Sequence, residues 1–203
     1  MEFMEVIESR RSVRKFKSDP IPEDVLNNIL RAGRFAPSGG HAENHYFGII
    51  KNKKKKEKLA EVAGGQEWIA TAPIIISYCT YVGYDLAQVS ENNFPLIVNQ
   101  TRFGKKLIKY LNDYPDRKEV NIFWNNANPL LPGQQIFLAA VNYGLNACWV
   151  GYLDIARASQ ILNLPEDIVC LYLMPVGYAD EEPEKIERKP LEELVFYDGW
   201  ESS

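Results

Sequence analysis

Cysteine and histidine are scarce in this chain. Its three cysteines, Cys79, Cys148 and Cys170, are too few for a disulfide scaffold, and none lies in a CxxC pair. Zinc sites built on cysteine use such closely spaced ligands, so the sequence argues against one. Only two histidines, His41 and His45, are present. No metal site is predicted, and the few cysteines favour a reducing compartment.

Long apolar runs are also missing. No stretch approaches the roughly 18 apolar residues that a membrane-spanning helix requires. The opening residues, MEFMEVIESRR, contain neither a basic leader nor an apolar core, so no secretory signal is expected. The sequence therefore predicts a cytoplasmic protein without a membrane partner.

An excess of positive charge is absent as well. Lysine and arginine total 23 against 27 aspartates and glutamates, which gives a net charge of −4. This balance excludes a cationic field over the whole surface that would attract nucleic acid or anionic lipid. The basic run Lys51–Lys58 lacks interleaved aromatic residues, so we interpret it as part of a solvated helix. Nucleic acid is not a predicted partner.

The chain has 203 residues, of which 46% are hydrophobic, so it can bury a core without disulfides. We predict one domain over residues 1–203. Helices and strands are interleaved, but several connections are too irregular for a βαβ series, which indicates an α+β fold.

The local patterns place most elements along the chain. Helices are predicted at 3–9, 22–35, 53–63, 134–143 and 155–162, and strands at 46–51, 73–81, 147–151 and 169–177. Residues 84–127 predict one or two helices with a variable connection. The tail 185–203 is expected to be mostly extended, with a short helix at 190–194.

Three arginines and a serine lie within five residues near the start of the chain: Arg10, Arg11, Ser12 and Arg14. Guanidinium groups and a hydroxyl can surround a phosphate with charge-assisted hydrogen bonds. If Val13 points into the core, Ser12 and Arg14 share the opposite face of an extended segment. Taken alone, the cluster is more simply explained as a basic helix end that faces water.

Three further segments combine glycine or arginine with polar residues. The glycines of Pro37–Gly40 let the backbone approach a flat ligand closely. Residues 144–151 end in Gly151 and can present backbone groups to a heteroaromatic ring. Arg188 is distant in sequence from the first cluster, yet it can share the same phosphate. Each segment also has a structural explanation, as a turn, a core strand or a polar tail.

The order and spacing of these segments resemble the FMN-dependent nitroreductase family from end to end. The resemblance covers RRSVRKF, APSGGHAENHYFGII, QEWIATAPIIIS, residues 133–155 and PVGY…ERKPLEELVFYDGW. It implies an α+β fold whose mostly antiparallel sheet is flanked by helices. It also implies a homodimer with FMN bound at the dimer interface.

The resemblance assigns a site to particular residues. The implied cofactor-binding residues are Arg10, Arg11, Ser12, Arg14, Pro37, Ser38, Gly39, Gln66, Val150, Gly151 and Arg188. Arg10, Ser12 and Arg188 would hold the phosphate and ribityl chain. Arg14 would lie near the N1/O2 side of the flavin and stabilise its reduced form. Pro37–Gly39 would come from the other subunit, and Gln66 and residues 150–151 would contact the ring.

Four positions depart from the pattern that the family usually shows. His41 stands where Asn is usual, Glu43 where Gln is usual, and His45 where an aromatic is common. Ile186 occupies a position that is often basic. These departures concern the substrate pocket and the choice of electron donor more than flavin binding.

The resemblance implies an oxidoreductase in which NADH or NADPH delivers hydride to flavin N5. A nitroaromatic, quinone or similar acceptor would then use the same flavin face, which predicts a ping-pong mechanism. Two alternatives use the same fold: a reductive dehalogenase or flavin-fragmenting enzyme, and a non-catalytic FMN carrier or sensor. A nucleic-acid binder that uses the lysine run is the third.

The segment Ile136–Val141 is continuously apolar within a predicted helix. Six consecutive residues cover every direction around a helix with about 3.6 residues per turn. One face can pack on the sheet of its own chain, and a partner subunit would cover the other. The alternative is a helix buried entirely within one monomer.

Overall fold

The computed structural model describes residues 1–200, and a four-stranded antiparallel sheet lies at its centre. The strand order is β1-β2-β4-β3. The strands are β1 (His45–Ile50), β2 (Ile74–Tyr81), β3 (Asn146–Ala147) and β4 (Ile168–Gly177). The α+β fold with an antiparallel sheet, predicted from the sequence, is confirmed.

The helices that flank this sheet are α1 (Phe3–Ser9), α2 (Glu23–Arg34), α3 (Lys53–Val62), α4 (Phe94–Phe103), α5 (Lys105–Asn112), α6 (Arg117–Asn125), α7 (Leu130–Asn142) and α8 (Ile155–Ile161). Their starts follow ordinary capping chemistry. The side chain of Asn52 accepts a hydrogen bond from Lys55 N, and that of Asp154 accepts one from Arg157 N. No helix within residues 1–200 is both long and apolar enough to cross a membrane.

Strand β2 is buried along nearly its whole length, polar Ser77 and Thr80 included, because both faces of the sheet are covered. Ile76 is fully buried in the cluster that contains Ile29 of α2 and Ile136 of α7. Its neighbour Ile75 faces the opposite way, into the cluster that contains Leu59 of α3. Successive side chains of a strand alternate between faces, so two helix layers require a strand that is mostly apolar on both sides.

The N-terminal segment lies along the edge of the sheet. Ser12 forms a parallel bridge with Ala147, and Phe16 forms an antiparallel bridge with Ala179. Val13 N donates to Ala147 O over 3.1 Å. This pairing places the arginine-rich segment 10–14 beside the end of β3.

Helix α7 begins four residues before the predicted start at residue 134. Pro132 and Gly133 disfavour a helix in sequence, but proline is tolerated in a first turn, where its missing N–H is not needed. Gly133 is required by packing: a Cβ there would lie 2.6 Å from Cζ2 of Trp149. Gly144, with φ +75°, ends the helix as predicted.

Two other regions also differ from the sequence-based prediction. Residues 84–127 hold three helices, α4 to α6, rather than one or two. The predicted strand 147–151 is shortened to β3 plus an isolated bridge between Val150 and Leu173. Trp149 interrupts it, because its ring packs against Tyr78 and Tyr172 with centroids 5.0 and 5.6 Å apart.

Helix α3 is not solvated on all sides, as its lysine run suggested. Lys56 is buried, and its ammonium donates to the carbonyl oxygens of Ala72 and Pro73. Burial lowers the pKa of Lys56. This lysine therefore ties α3 to the start of β2, and only the remainder of the run faces water.

The tail after Asp180 is extended and mostly exposed, with a single 3-10 turn at Leu191–Glu193 where a short helix was predicted. Exposed apolar side chains follow one another along it: Leu191, Leu194, Val195, Phe196, Tyr197 and Trp200. We call residues 190–200 the C-terminal arm. The last three residues of the predicted tail, 201–203, lie outside the described residues.

Candidate functional site

The segment Arg10–Arg14 has the alternating arrangement predicted for a phosphate-binding strand. Val13 is 1% exposed and anchors the segment in a small cluster with Phe16 and Ala72. Ser12 is half-buried, and Arg14 is exposed. The hydroxyl and the guanidinium therefore lie on the solvent side of an anchored backbone.

Cys148 shows how closely these groups converge. Burial raises the pKa of this thiol, while the Arg14 guanidinium and a hydrogen bond from Ser12 lower it. Glu181 and Arg10 are also near enough to act on it. Four polar side chains thus lie near one buried thiol. The sequence did not predict that Cys148 lies beside residues 10–14.

Arg10 and Arg14 are held by aromatic rings rather than by acids. The guanidinium carbon of Arg10 lies 5.4 Å from the ring centroid of Phe137, and that of Arg14 lies 5.9 Å from the Trp68 ring. Neither arginine forms an ion pair within residues 1–200. Two guanidiniums that form no ion pair there, next to a hydroxyl, suit an anionic ligand such as a phosphate.

Arg11 has a different environment from its neighbours. Its guanidinium donates to Glu8 O over 2.7 Å and to Arg10 O over 2.9 Å. These carbonyls lie at the C-terminal end of α1, where cations are favoured by the helix dipole. Arg11 caps that helix, and this contact leaves Arg10 and Arg14 as the cations of the site.

Glu181 fixes the backbone of the segment. Its carboxylate accepts hydrogen bonds from the backbone N–H groups of Arg14 and, over 3.2 Å, Lys15. Asp180 N donates to Lys15 O over 2.9 Å, so the chain after β4 clamps the segment from the other side. Sequence reasoning did not identify Glu181, which lies between the recognised segments.

Val150 and Gly151 continue the same surface. Val150 exchanges two backbone hydrogen bonds with Leu173, of 2.9 and 3.1 Å, which tie it to β4. Gly151 is exposed, and a Cβ there would meet only the Tyr172 ring, at 3.5 Å. The backbone at these two residues is therefore rigid on its inner side and open on its outer side.

Gln66 lies on the loop that follows α3. Its side-chain amide donates to Ala63 O over 2.7 Å. The loop is held against residues 151–154, since Asp154 N donates to Val62 O over 2.9 Å and the Tyr152 ring packs on Gly64. Arg14 stacks on Trp68, two residues after Gln66, and Ser12 pairs with Ala147, three residues before Val150. These contacts bring the three segments together, and we call Arg10, Ser12, Arg14, Gln66, Val150 and Gly151 the arginine groove.

Pro37, Ser38 and Gly39 lie elsewhere, on the rim of a cavity of about 830 Å³. The cavity separates this loop from α4, α6 and α7, and Asn44, Phe94, Arg102 and Trp124 also line it. Gly40, His41 and Glu43 have φ of 59°, 55° and 48°. The left-handed conformation favours glycine and asparagine, so His41 and Glu43 are strained there.

Arg188 lies in the exposed, extended part of the tail. Across residues 1–200 it makes no ion pair. Loop 37–39 lines the cavity, and none of the residues of the arginine groove does. Within one protomer, loop 37–39 and the groove are therefore separate parts of the predicted site.

Comparison with known structures identifies the class of fold. The NADPH:FMN oxidoreductase from Vibrio harveyi, solved in complex with NAD+, matches with a TM-score of 0.72 and 22% identity. The match covers 99% of this chain and 79% of that one. This chain therefore shares its α+β fold with that structure.

The family follows from the sequence. A model described as "Nitroreductase family" matches residues 7–178, and the chain belongs to that family. It is 27% identical to NADH dehydrogenase from Thermus thermophilus, over 93% of this chain and 92% of that protein. It is also 26% identical to Iodotyrosine deiodinase 1 from Homo sapiens, over 96% of this chain and 68% of that protein. The resemblance noted in the sequence is confirmed.

Proposed function

We propose that the protein is an FMN-dependent oxidoreductase that passes hydride equivalents from NAD(P)H to a nitroaromatic, quinone or similar acceptor. The observation that carries the proposal is the arginine groove. In the groove, two guanidiniums that form no ion pair with the described residues lie near an exposed backbone segment, in a chain of the nitroreductase family. When bound, FMN would supply the redox centre, and the chain would supply binding, orientation and electrostatics.

FMN suits the groove better than FAD. Arg10 and Ser12 form a local site sized for one terminal phosphate, and the sequence has no GxGxxG turn for a pyrophosphate. The N–H of Val150 is used by Leu173, so the exposed backbone of Gly151 would donate to and accept from the polar edge of a ring. Gln66 adds an amide oxygen near the same edge.

Steady-state kinetics test this function. Initial rates of NAD(P)H oxidation at several fixed menadione concentrations are expected to give parallel double-reciprocal lines, because donor and acceptor occupy one face in turn. Flavin released from the protein should co-migrate with FMN. Intersecting lines, or FAD as the released flavin, would contradict the proposal.

We assign Arg14 an electrostatic role. Its guanidinium lies over Trp68, and the backbone beneath it is clamped by Glu181. Such a fixed cation lowers the free energy of negative charge that develops beside it. It does not need to donate a proton.

Arg14→Gln is therefore expected to make the two-electron potential of the bound flavin more negative. Removal of a cation disfavours the reduced, more negative state. A loss of about 1–2 kcal/mol corresponds to roughly 20–40 mV, since 30 mV is about 1.4 kcal/mol for two electrons. Spectroelectrochemistry measures the shift, and Lys17→Gln serves as an exposed control nearby. An unchanged or more positive potential in Arg14→Gln would place Arg14 away from the ring.

We further propose a homodimer in which Pro37–Gly39 of one protomer complete the groove of its partner. Loop 37–39 lines a cavity that no residue of the groove lines, and this separation within one chain supports the arrangement. Helix α7 does not carry the argument, because Ile136, Phe137 and Ala140 are buried within their own chain. Exposed apolar side chains lie instead on α1, on α4 to α6 and on the C-terminal arm.

Reductive dehalogenation is the second candidate. It is favoured by the relatives named as iodotyrosine deiodinases, which match 96% of this chain at 25–28% identity. Release of iodide from an iodinated phenol in the presence of a reductant would distinguish it from nitro or quinone reduction. Steady NAD(P)H oxidation with menadione would exclude a non-catalytic carrier.

A further inference from the structure

The cavity behind loop 37–39 has an unusual charge distribution. Of the residues that line its roughly 830 Å³, Arg102 is the one with a permanent charge, and no carboxylate lines it. His45 also lines the cavity, but burial lowers its pKa, with Glu43 acting in the opposite direction. The neutral form of His45 therefore prevails at neutral pH, and the cavity carries a single positive charge.

Arg102 is held in place at the rim. Its guanidinium carbon lies 4.9 Å from the ring centroid of Phe103, and that ring is 5.5 Å from Trp124, which forms a wall of the cavity. The guanidinium is thus stacked onto a fixed aromatic pair. It forms no ion pair within the described part of the chain.

Two acids adjacent in sequence to lining residues, Asp85 and Glu43, do not line the cavity. Asp85 pairs with Arg117 over 2.6 Å, and that guanidinium lowers the pKa of Asp85. Glu43 lies 4.0 Å from His41 and is not part of the cavity wall. Neither acid therefore neutralises Arg102.

The remaining walls are aromatic and amide-rich. Trp124 and Phe94 supply flat apolar surface, and five asparagines line the cavity. Several of their amide N–H groups are already used: Asn128 Nδ2 donates to Asn125 Oδ1 over 2.8 Å, and Asn121 Nδ2 donates to Val82 O over 3.1 Å. Arg102 is left as the strongest free donor in the cavity.

We propose that this cavity binds the acceptor and selects a flat aromatic molecule that carries an anionic substituent, such as a carboxylate, with Arg102 pairing to the anion. The proposal rests on the proposed oxidoreductase function and names its substrate class. The aromatic walls would stack on the ring, and the rim cation would orient it.

A pair of acceptors that differ in charge alone provides the test. Para-nitrobenzoate and para-nitrobenzamide share a ring and a nitro group. The ratio of kcat/KM for para-nitrobenzoate to kcat/KM for para-nitrobenzamide is expected to fall about tenfold in Arg102→Gln. About tenfold is the lower end of the effect of losing a charge-assisted hydrogen bond, as expected at a solvent-exposed rim. Arg31→Gln is the matched control, because Arg31 stacks on Phe35 at 5.8 Å but does not line the cavity. It should leave the ratio unchanged.

Binding without turnover separates this proposal from the proposed function. Para-nitrobenzoate should quench tryptophan fluorescence in the absence of any donor, with a dissociation constant about tenfold higher in Arg102→Gln. If menadione is reduced but Arg102→Gln and Arg31→Gln have the same kcat/KM ratio and the same affinity for para-nitrobenzoate, the proposed substrate class is wrong. The proposed oxidoreductase function is then unaffected. If only the KM for NADPH or NADH rises, Arg102 binds the phosphates of the donor, and the assignment to the acceptor is overturned.

Discussion

Arg10→Ala is expected to weaken FMN binding about ten- to a hundredfold, because a charge-assisted phosphate contact is worth about 1.5–3 kcal/mol. Arg10 stacks on Phe137 and has no carboxylate partner in the described chain, so it is free to bind an anion. Titration of apoprotein with FMN, followed by quenching of flavin fluorescence, measures the change. Lys54→Ala, on the exposed face of α3, is the control and should bind FMN as the wild type does.

Arg188→Ala extends the same experiment to the tail. The family resemblance assigns Arg188 to the same phosphate as Arg10, so a loss of similar size would show that it reaches the groove in the assembled protein. If both arginines hold one phosphate, the loss of FMN-binding free energy in the double variant should differ from the sum of the two single losses. Equal FMN affinity in the wild type and all three variants would contradict the phosphate assignment.

Removal of the C-terminal arm is expected to have the second large effect. A chain that ends at Lys189 keeps Arg188 but loses the six exposed apolar side chains of residues 191–200. Their burial against a partner would contribute roughly 4–9 kcal/mol, taking about half of the usual value for each side chain. The dimer dissociation constant should therefore rise at least about a thousandfold.

Flavin retention should decrease when the dimer is lost, because a ligand that binds only the assembled site is linked to dimerisation by mass action. Light scattering and the flavin-to-protein absorbance ratio on one sample measure both quantities. Full-length Phe196→Ser/Trp200→Ser separates the apolar contact from chain length. Phe123→Ser is the control, since Phe123 is 70% exposed but lies on α6. A truncated dimer that keeps its full flavin would show that the arm lies outside the interface.

Much of the fold could be predicted because the strands are buried on both faces. The mostly apolar segment 73–81 predicts β2 to within one residue. The N-cap residue Asp154 predicts the start of α8. These signals depend on neighbouring residues alone, and contacts between distant segments do not change the elements that they predict. The alternation in residues 10–16 likewise predicted which side chains of the site face outward.

Other features depend on contacts between distant segments. Lys56 is buried because the carbonyls of Ala72 and Pro73 accept its ammonium, and nothing in a lysine run distinguishes one lysine from the next. Gly133 sits inside α7 because Trp149 packs on it, which local helix propensity cannot show. Cys148 lies near the groove because Ser12 pairs with Ala147, and Glu181 lies near it because its carboxylate accepts a hydrogen bond from Arg14 N.

The central claim is that a flavin in the arginine groove mediates transfer between NAD(P)H and an acceptor. An anaerobic absorption titration tests it most directly. One equivalent of NADH or NADPH should bleach the visible band of the purified protein, and one equivalent of menadione added afterwards should restore it. A band that neither nucleotide bleaches, or a protein that binds no flavin at all, would contradict the account.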